Sequence, residues 1–178
     1  ESKMRAELGL LQELTACRGP EVSPLAIVRP PLVYGSGVKA NFLSMLKWGS
    51  SGWPLPLGNA CAPRSWVAVD NLVSVLMKLT AYRGQQTIWH VRDEEETSVV
   101  GMLRRIASLS NQESRLLSVP VEVIKAAAKV VGRAEDAQRL LAPLRVDMEV
   151  TRRALDWRPP VSQANAMREV VSWYHDHC

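Results

Sequence analysis

Leu25 to Phe42, LAIVRPPLVYGSGVKANF, is the stretch on which the fold turns. Leu25 to Val28 is a short continuous apolar run, the pattern of a strand covered on both faces in a parallel sheet. Pro30-Pro31 ends it, because proline has no N–H to give to a ladder. Gly35 and Gly37 let the backbone turn tightly before a helical pattern from Lys39 to Lys47. A loop leaving the carboxyl end of a buried parallel strand faces the crevice where open α/β sheets bind ligands. Arg29 to Gly37 is therefore a candidate site, although a plain strand-to-helix connection accounts for the same residues. No glycine-rich cofactor loop precedes it, and residues 1–24 are too few for a βαβ unit, so the chain reads as the back half of a larger fold.

Upstream, Met4, Leu8, Leu11 and Leu14 repeat at helical spacing, and Gly19-Pro20 stops the helix Ser2 to Arg18. Downstream, Gly49, Gly52, Pro54, Pro56 and Gly58 make a long turn-rich segment. Ser65 to Val69 reads as a strand, Asp70 as the N-cap of a helix from Asn71 to Ala81. Thr87 to Val91 is a further strand, and Thr97-Ser98 caps a helix from Val99 to Ser108. This alternation implies an α/β sheet. After a candidate linker at Ser110 to Ser114 the pattern turns mostly helical: Val121 to Val131, Glu135 to Leu141, an extended Leu144 to Met148, then Val150 to Leu155 and Val161 to Tyr174. The expected division is residues 1–110 for the sheet part and 111–178 for a small, mainly helical lobe.

Composition narrows the function. The 178 residues are 47% hydrophobic, ordinary for a globular core. No run is long and apolar enough to span a bilayer, and the charged ESKMRAELGLLQEL start is no signal peptide, so a cytoplasmic chain is expected. The net charge of +4 is scattered rather than gathered in a stripe, and the six tryptophans fall in separate elements, which argues against nucleic acid. Cys17, Cys61 and Cys178 have unrelated spacings and read as reduced thiols. The acidic run Asp93 to Glu96 reads as a solvated turn rather than a metal site, and His175 and His177 as frayed C-terminal residues. No metal is expected.

RPPLVYGSGVKANF resembles the RPxxVYGxG segment of the extended short-chain dehydrogenase/reductases, the NAD-dependent nucleotide-sugar epimerase and dehydratase family. PLPLGNACAPRSWVAVDNLVSVL resembles that family's loop, arginine and strand-to-helix segment. HVRDEEETSVVGMLRRIA resembles its following strand-and-helix unit, and LDWRPPVSQANAMREVVSWY its closing LGWxPxxS helix. Four collinear segments span nearly the whole chain. The resemblance implies the C-terminal part of a Rossmann-like parallel sheet with interleaved substrate-binding segments, plus a mainly helical substrate-binding lobe.

It also implies roles for single residues. ESKMRAE resembles the end of the family's Tyr-x-x-x-Lys motif, so Lys3 matches the lysine that lowers the tyrosine pKa and reaches the nicotinamide ribose, while the tyrosine would precede residue 1. Residues four apart share a helix face, which is why the motif has that spacing. Pro30 and Pro31 would face the nicotinamide, their carbonyls suited to a carboxamide. Asn41, with Phe42 beside it, matches a helix start where an amide and backbone N–H groups meet the nucleotide diphosphate; an ordinary helix-start residue is the alternative. Arg64 matches a diphosphate-gripping arginine, whose planar fork fits phosphate oxygens bidentately. Leu57 matches an apolar neighbour of the uracil, or is core. Arg145, in LRVD, falls where the substrate lobe approaches the nucleotide; the epimerases' R-x-G-D pattern is not clear there, and Arg133-Ala-Glu-Asp136 imitates it poorly.

The expected function is thus that of the substrate-binding portion of a UDP-glucose 4-epimerase-like enzyme. NAD or NADP would serve the intact enzyme and none would be bound by this chain alone, which would be inactive by itself. A UDP-4-keto-6-deoxy-N-acetylhexosamine 4-reductase of polysaccharide biosynthesis is one alternative, and a non-catalytic binding module derived from the family is another. The expected partners are a UDP-sugar and, through an open sheet edge, a second copy or the missing N-terminal part.

Overall fold

The computed structural model describes residues 2–16, 25–84, 86–130, 132, 134, 138 and 141–178. Helix α1, Ser2–Ala16, precedes strand β1, Ile27–Arg29. The proline pair ends β1, as expected, but the chain resumes at once as a second strand, β2, Leu32–Tyr34. Helix α2 (Ala40–Ser50), strand β3 (Trp66–Ala68), helix α3 (Val69–Ala81) and strand β4 (Ile88–His90) follow. Helices α4 (Val99–Leu109), α5 (Val121–Val130), α6 (Glu149–Leu155) and α7 (Gln163–His177) complete the order. The expected helix Glu135 to Leu141 and the stop at Gly19-Pro20 fall largely or wholly outside the described residues, as does Cys17.

The two halves of the split strand go to different sheets. β1 pairs with β4 in parallel, Ile27 opposite Ile88 and Arg29 opposite His90. β2 pairs with β3 in parallel, Leu32 opposite Trp66 and Tyr34 opposite Ala68. A peptide lacking two successive N–H groups cannot continue one ladder, so the proline pair is where the chain changes partner. Parallel pairs need crossovers, and α2 and α3 supply them.

Two apolar clusters hold these elements. One joins Tyr34, Phe42, Leu46 and Trp66 to Leu103 and Ile106 of α4 and Met167 and Val170 of α7. The other joins Val67, Val75 and Val91 to Met148 and Trp157. Both draw on residues either side of position 110. Ser98 and Ser162 cap α4 and α7, accepting from the Gly101 and Asn165 amides. Asp70 does not cap α3: the helix begins one residue earlier, with Ala68 at the N-cap position, and Asp70 lies exposed in the first turn. There a carboxylate meets the positive end of the helix dipole without capping it. The C-terminal histidines are not frayed either, because α7 runs to His177, which stacks on Trp173. His175 reaches the Ser110 hydroxyl at 3.1 Å.

Met4 and Leu8, which define the apolar stripe of α1, are exposed, and an ion pair between Glu7 and Arg29 ties this helix to β1. Among the described residues no helix is long and apolar enough to cross a membrane.

Candidate functional site

The loop from β2 to α2 is built by two glycines with different tasks. A Cβ on Gly35 would overlap the Val69 side chain at the start of α3, so only glycine lets β2 and α3 approach there. Gly37 takes φ +79°, a left-handed turn that side chains resist. Helix α2 then starts at Ala40 with Lys39 as an N-cap that gives no side-chain hydrogen bond. Its first-turn amides are thus left uncapped by the chain's own preceding residue, the arrangement that suits an anion at a helix N-terminus.

Asn41 and Phe42 occupy that first turn and point to different places. Asn41 is exposed, while Phe42 is wholly buried, stacked on Tyr34 with ring centroids 5.2 Å apart and edge-on to Trp66 at 6.2 Å. Phe42 therefore has only its backbone N–H to offer a ligand, and its ring anchors the turn. The Phe42–Trp66 contact also brings the start of α2 against the segment that carries Arg64.

Arg64 is half-buried, its Nη1 donating to the Ala142 carbonyl at 3.1 Å, and burial pulls its pKa below the ordinary arginine value. Its backbone is paired with Leu144 through an isolated bridge, and the Ser65 amide donates to the Leu144 carbonyl at 2.7 Å. Arg145, the next residue, goes elsewhere: both Nε and Nη2 reach Glu96 at 2.8 Å. The carboxylate raises the Arg145 pKa, and Arg145 holds Glu96 below its usual range. Leu57 is buried in the first apolar cluster, and its turn is tied down by the Gly58 amide on the Leu117 carbonyl. Pro30 is exposed and Pro31 half-buried at the carboxyl end of β1, presenting carbonyls and no N–H. That suits the donor of a nicotinamide carboxamide. The side chain of Lys3, on the first turn of α1, lies outside the described residues.

The acidic run is a solvated turn only in part: Glu94 and Glu95 are exposed, whereas its first residue is buried. Asp93 is 1% exposed, its Oδ2 accepting from the Tyr34 hydroxyl at 2.7 Å and its Oδ1 from the Ala68 amide at 2.9 Å and the Asn71 side chain at 2.8 Å. Burial raises its pKa, while these donors pull the other way. Burial, followed by the Asp93 charge, drives the Tyr34 phenol far above its ordinary value. Glu94, Glu95 and Glu96 pair with Arg152, Arg105 and Arg145. Asn71 also clamps Val161, accepting from its N–H and donating to its carbonyl, both at 2.9 Å. The trace this network leaves in the sequence is an aspartate two residues after a β-rich run, and three glutamates behind it disguise that signal.

Among the described residues no group of three His, Cys, Asp or Glu side chains converges to hold a metal ion. Cys61 and Cys178 are free and exposed.

No family model matches the chain. It is 33% identical over 172 residues to a curated UDP-glucose 4-epimerase of Vibrio cholerae, a match covering 96% of this chain and 51% of that protein. The chain thus spans about half the length of the curated relative it matches. Among solved structures it is similar to RMD from Pseudomonas aeruginosa, complexed with NADPH, with TM-score 0.73 and 17% identity over 99% of this chain and 55% of that one. It is also similar to the Thermotoga maritima UDP-glucose 4-epimerase solved with UDP-glucose, with TM-score 0.63 and 16% identity over 85% of this chain and 46% of that one. At such identities the structures speak for the fold, which is Rossmann-like, and the curated relative speaks for the sequence. Along nearly their whole length these 178 residues thus resemble about half of a member of the NAD-dependent nucleotide-sugar epimerase/dehydratase family, with the fold of the solved structures.

Proposed function

We propose that this chain is the nucleotide-sugar-binding portion of a UDP-glucose 4-epimerase-like enzyme, the UDP diphosphate lying between the start of α2 and Arg64. The observation that carries this reading is the match to a curated UDP-glucose 4-epimerase along 96% of the chain. The uncapped α2 terminus and the half-buried Arg64 support it, since each is suited to an anion. In this reading Asn41 and the Phe42 amide hold one side of the diphosphate and Arg64 the other. Leu57 backs the uracil pocket from within the core. Arg145 approaches the ligand only by leaving Glu96, so its share is smaller.

A bound dinucleotide supplies the redox chemistry at the sugar's C4. The residues of this chain bind and orient: the Pro30 and Pro31 carbonyls face the carboxamide, and Lys3 steadies the acid/base tyrosine of the intact site. With no glycine-rich dinucleotide loop in its 178 residues, the chain alone binds UDP-sugar, holds no NAD or NADP and turns nothing over. Titration calorimetry on the chain with UDP-glucose, and separately with NAD, tests this. Heat with the first and none with the second is the expected result; turnover of UDP-galactose by the chain alone would overturn it.

A further inference from the structure

Asp93 touches none of the residues proposed to hold ligand, yet it is joined to both sides of the proposed diphosphate site. Through Oδ2 it holds the Tyr34 hydroxyl, and the Tyr34 ring stacks on Phe42, neighbour of Asn41 in the first turn of α2. Through Oδ1 it holds the Ala68 amide, at the end of the strand that follows Arg64. Asn71 donates to the same Oδ1 and clamps Val161, just before α7. Gln163, the first residue of α7, adds to the forces that keep Asp93 ionised. Its Oε1 accepts from Thr97 at 2.6 Å and from Arg105 at 2.5 Å. One buried carboxylate therefore ties β2, the β3–α3 junction and the closing helix together.

A packing residue has no need of this chemistry. Apolar contact would hold these elements together without burying a charge, and a buried carboxylate carries a desolvation cost that its hydrogen bonds must offset. What a carboxylate adds is direction. Its two oxygens set the Tyr34 hydroxyl and the Ala68 amide at hydrogen-bond distance from one rigid group, which fixes the gap between the turn bearing Asn41 and the strand after Arg64. A diphosphate gripped from both sides is sensitive to that gap, since an ångström of misplacement loses paired, charge-assisted bonds.

We propose that Asp93 is a positioning residue of the nucleotide-sugar site, acting through Tyr34 and Phe42 on the first turn of α2 and through Ala68 on the strand that follows Arg64. The inference rests on the reading of the site given above and extends it to a residue that touches no ligand.

The test uses the 178-residue chain with UDP-glucose as probe, in wild type, Tyr34→Phe, Asp93→Asn and the double variant. Tyr34→Phe keeps the ring and removes only the hydroxyl; Asp93→Asn keeps the shape. Each single variant is expected to weaken UDP-glucose binding by about five- to tenfold, the worth of one ordinary hydrogen bond. The double variant is expected to be no weaker than the worse single one, because both cut the same route. In backbone amide NMR the Asn41 and Phe42 resonances should shift in both single variants and respond to UDP-glucose only at correspondingly higher concentration, while those of Glu122 and Lys125 in α5, outside both apolar clusters, stay in place. Unchanged affinity in both variants, additive losses, or resonance changes spread evenly through the fold would overturn the proposal. Should wild type itself fail to bind UDP-glucose, the reading of the site fails. The positioning claim is then decided by whether the Asn41 and Phe42 resonances move selectively in the ligand-free variants.

Discussion

The Tyr34 hydroxyl donates to Asp93 Oδ2 at 2.7 Å, joining the end of β2 to a loop 59 positions further along the chain. Tyr34 belongs to the VYG segment that announces the fold, and Asp93 to a run of acids that announces nothing. Their meeting couples the part of the molecule readable from sequence to the part that is not.

Removing the carboxylate should be costly. Asp93→Ala leaves the Tyr34 hydroxyl, the Ala68 amide and one Asn71 bond without their acceptor in a dry interior, for a loss of about 3 kcal/mol or more. Urea unfolding measures it. Asp93→Asn should cost less, and its difference from wild type should depend on pH. Because burial raises the Asp93 pKa, its proton is held more tightly in the folded chain than in the unfolded one. That contribution to stability is full below the ordinary aspartate value and is lost as pH rises through the raised one. Wild type should therefore gain on Asp93→Asn as pH falls from neutrality; a constant difference would show that the carboxyl is not strained.

The two candidate arginines should separate. Arg64→Ala is expected to weaken UDP-glucose binding about tenfold or more, and Arg64→Lys to recover only part, since an ammonium lacks the planar fork. Arg145→Ala should leave both melting and affinity little changed, because Arg145 is mostly exposed and engaged with Glu96. Calorimetry on the three variants checks this; equal losses at Arg64 and Arg145 would make Arg145 a full ligand residue.

The glycines of VYGSG should fail for different reasons. Gly35→Ala forces a methyl onto Val69, costing about 1–3 kcal/mol, and Val69→Ala in the same chain should restore much of it. Gly37→Ala has open space but a left-handed backbone, costing about 1 kcal/mol, and Val69→Ala should not help. Thermal melts of the four variants decide the matter.

Leu57→Ala should act on stability first. Its side chain is 7% exposed within the first apolar cluster, and truncation there costs about 2–4 kcal/mol. A variant that melts like wild type yet loses UDP-glucose would instead place Leu57 on the ligand.

How far the sequence could be read follows from the range of the forces involved. The helices expected from Val99 and from Val161 were legible because apolar spacing is a local signal, as is the serine cap at Ser98, which the structure keeps; the second helix starts at Gln163, behind a Ser162 cap that the spacing alone did not show. Pro30-Pro31 was legible as a break but not as a change of sheet, since which strand accepts β2 depends on residues more than thirty positions away. Asp70 misleads for a related reason: its side chain has the chemistry of a cap, but the helix takes up Val69 first. In the site, Asn41 and Arg64 could be named from segments resembling a family. The Phe42 ring's inward turn, the Arg145–Glu96 pair and the burial of Asp93 could not, because each is settled by a partner distant in sequence.

Titration calorimetry of the chain with UDP-glucose, with Arg64→Ala as control, decides whether these residues form a nucleotide-sugar site. Saturable binding to wild type that Arg64→Ala weakens about tenfold is the result expected. No heat with wild type, or binding indifferent to Arg64, would contradict the assignment of these residues to a nucleotide-sugar site.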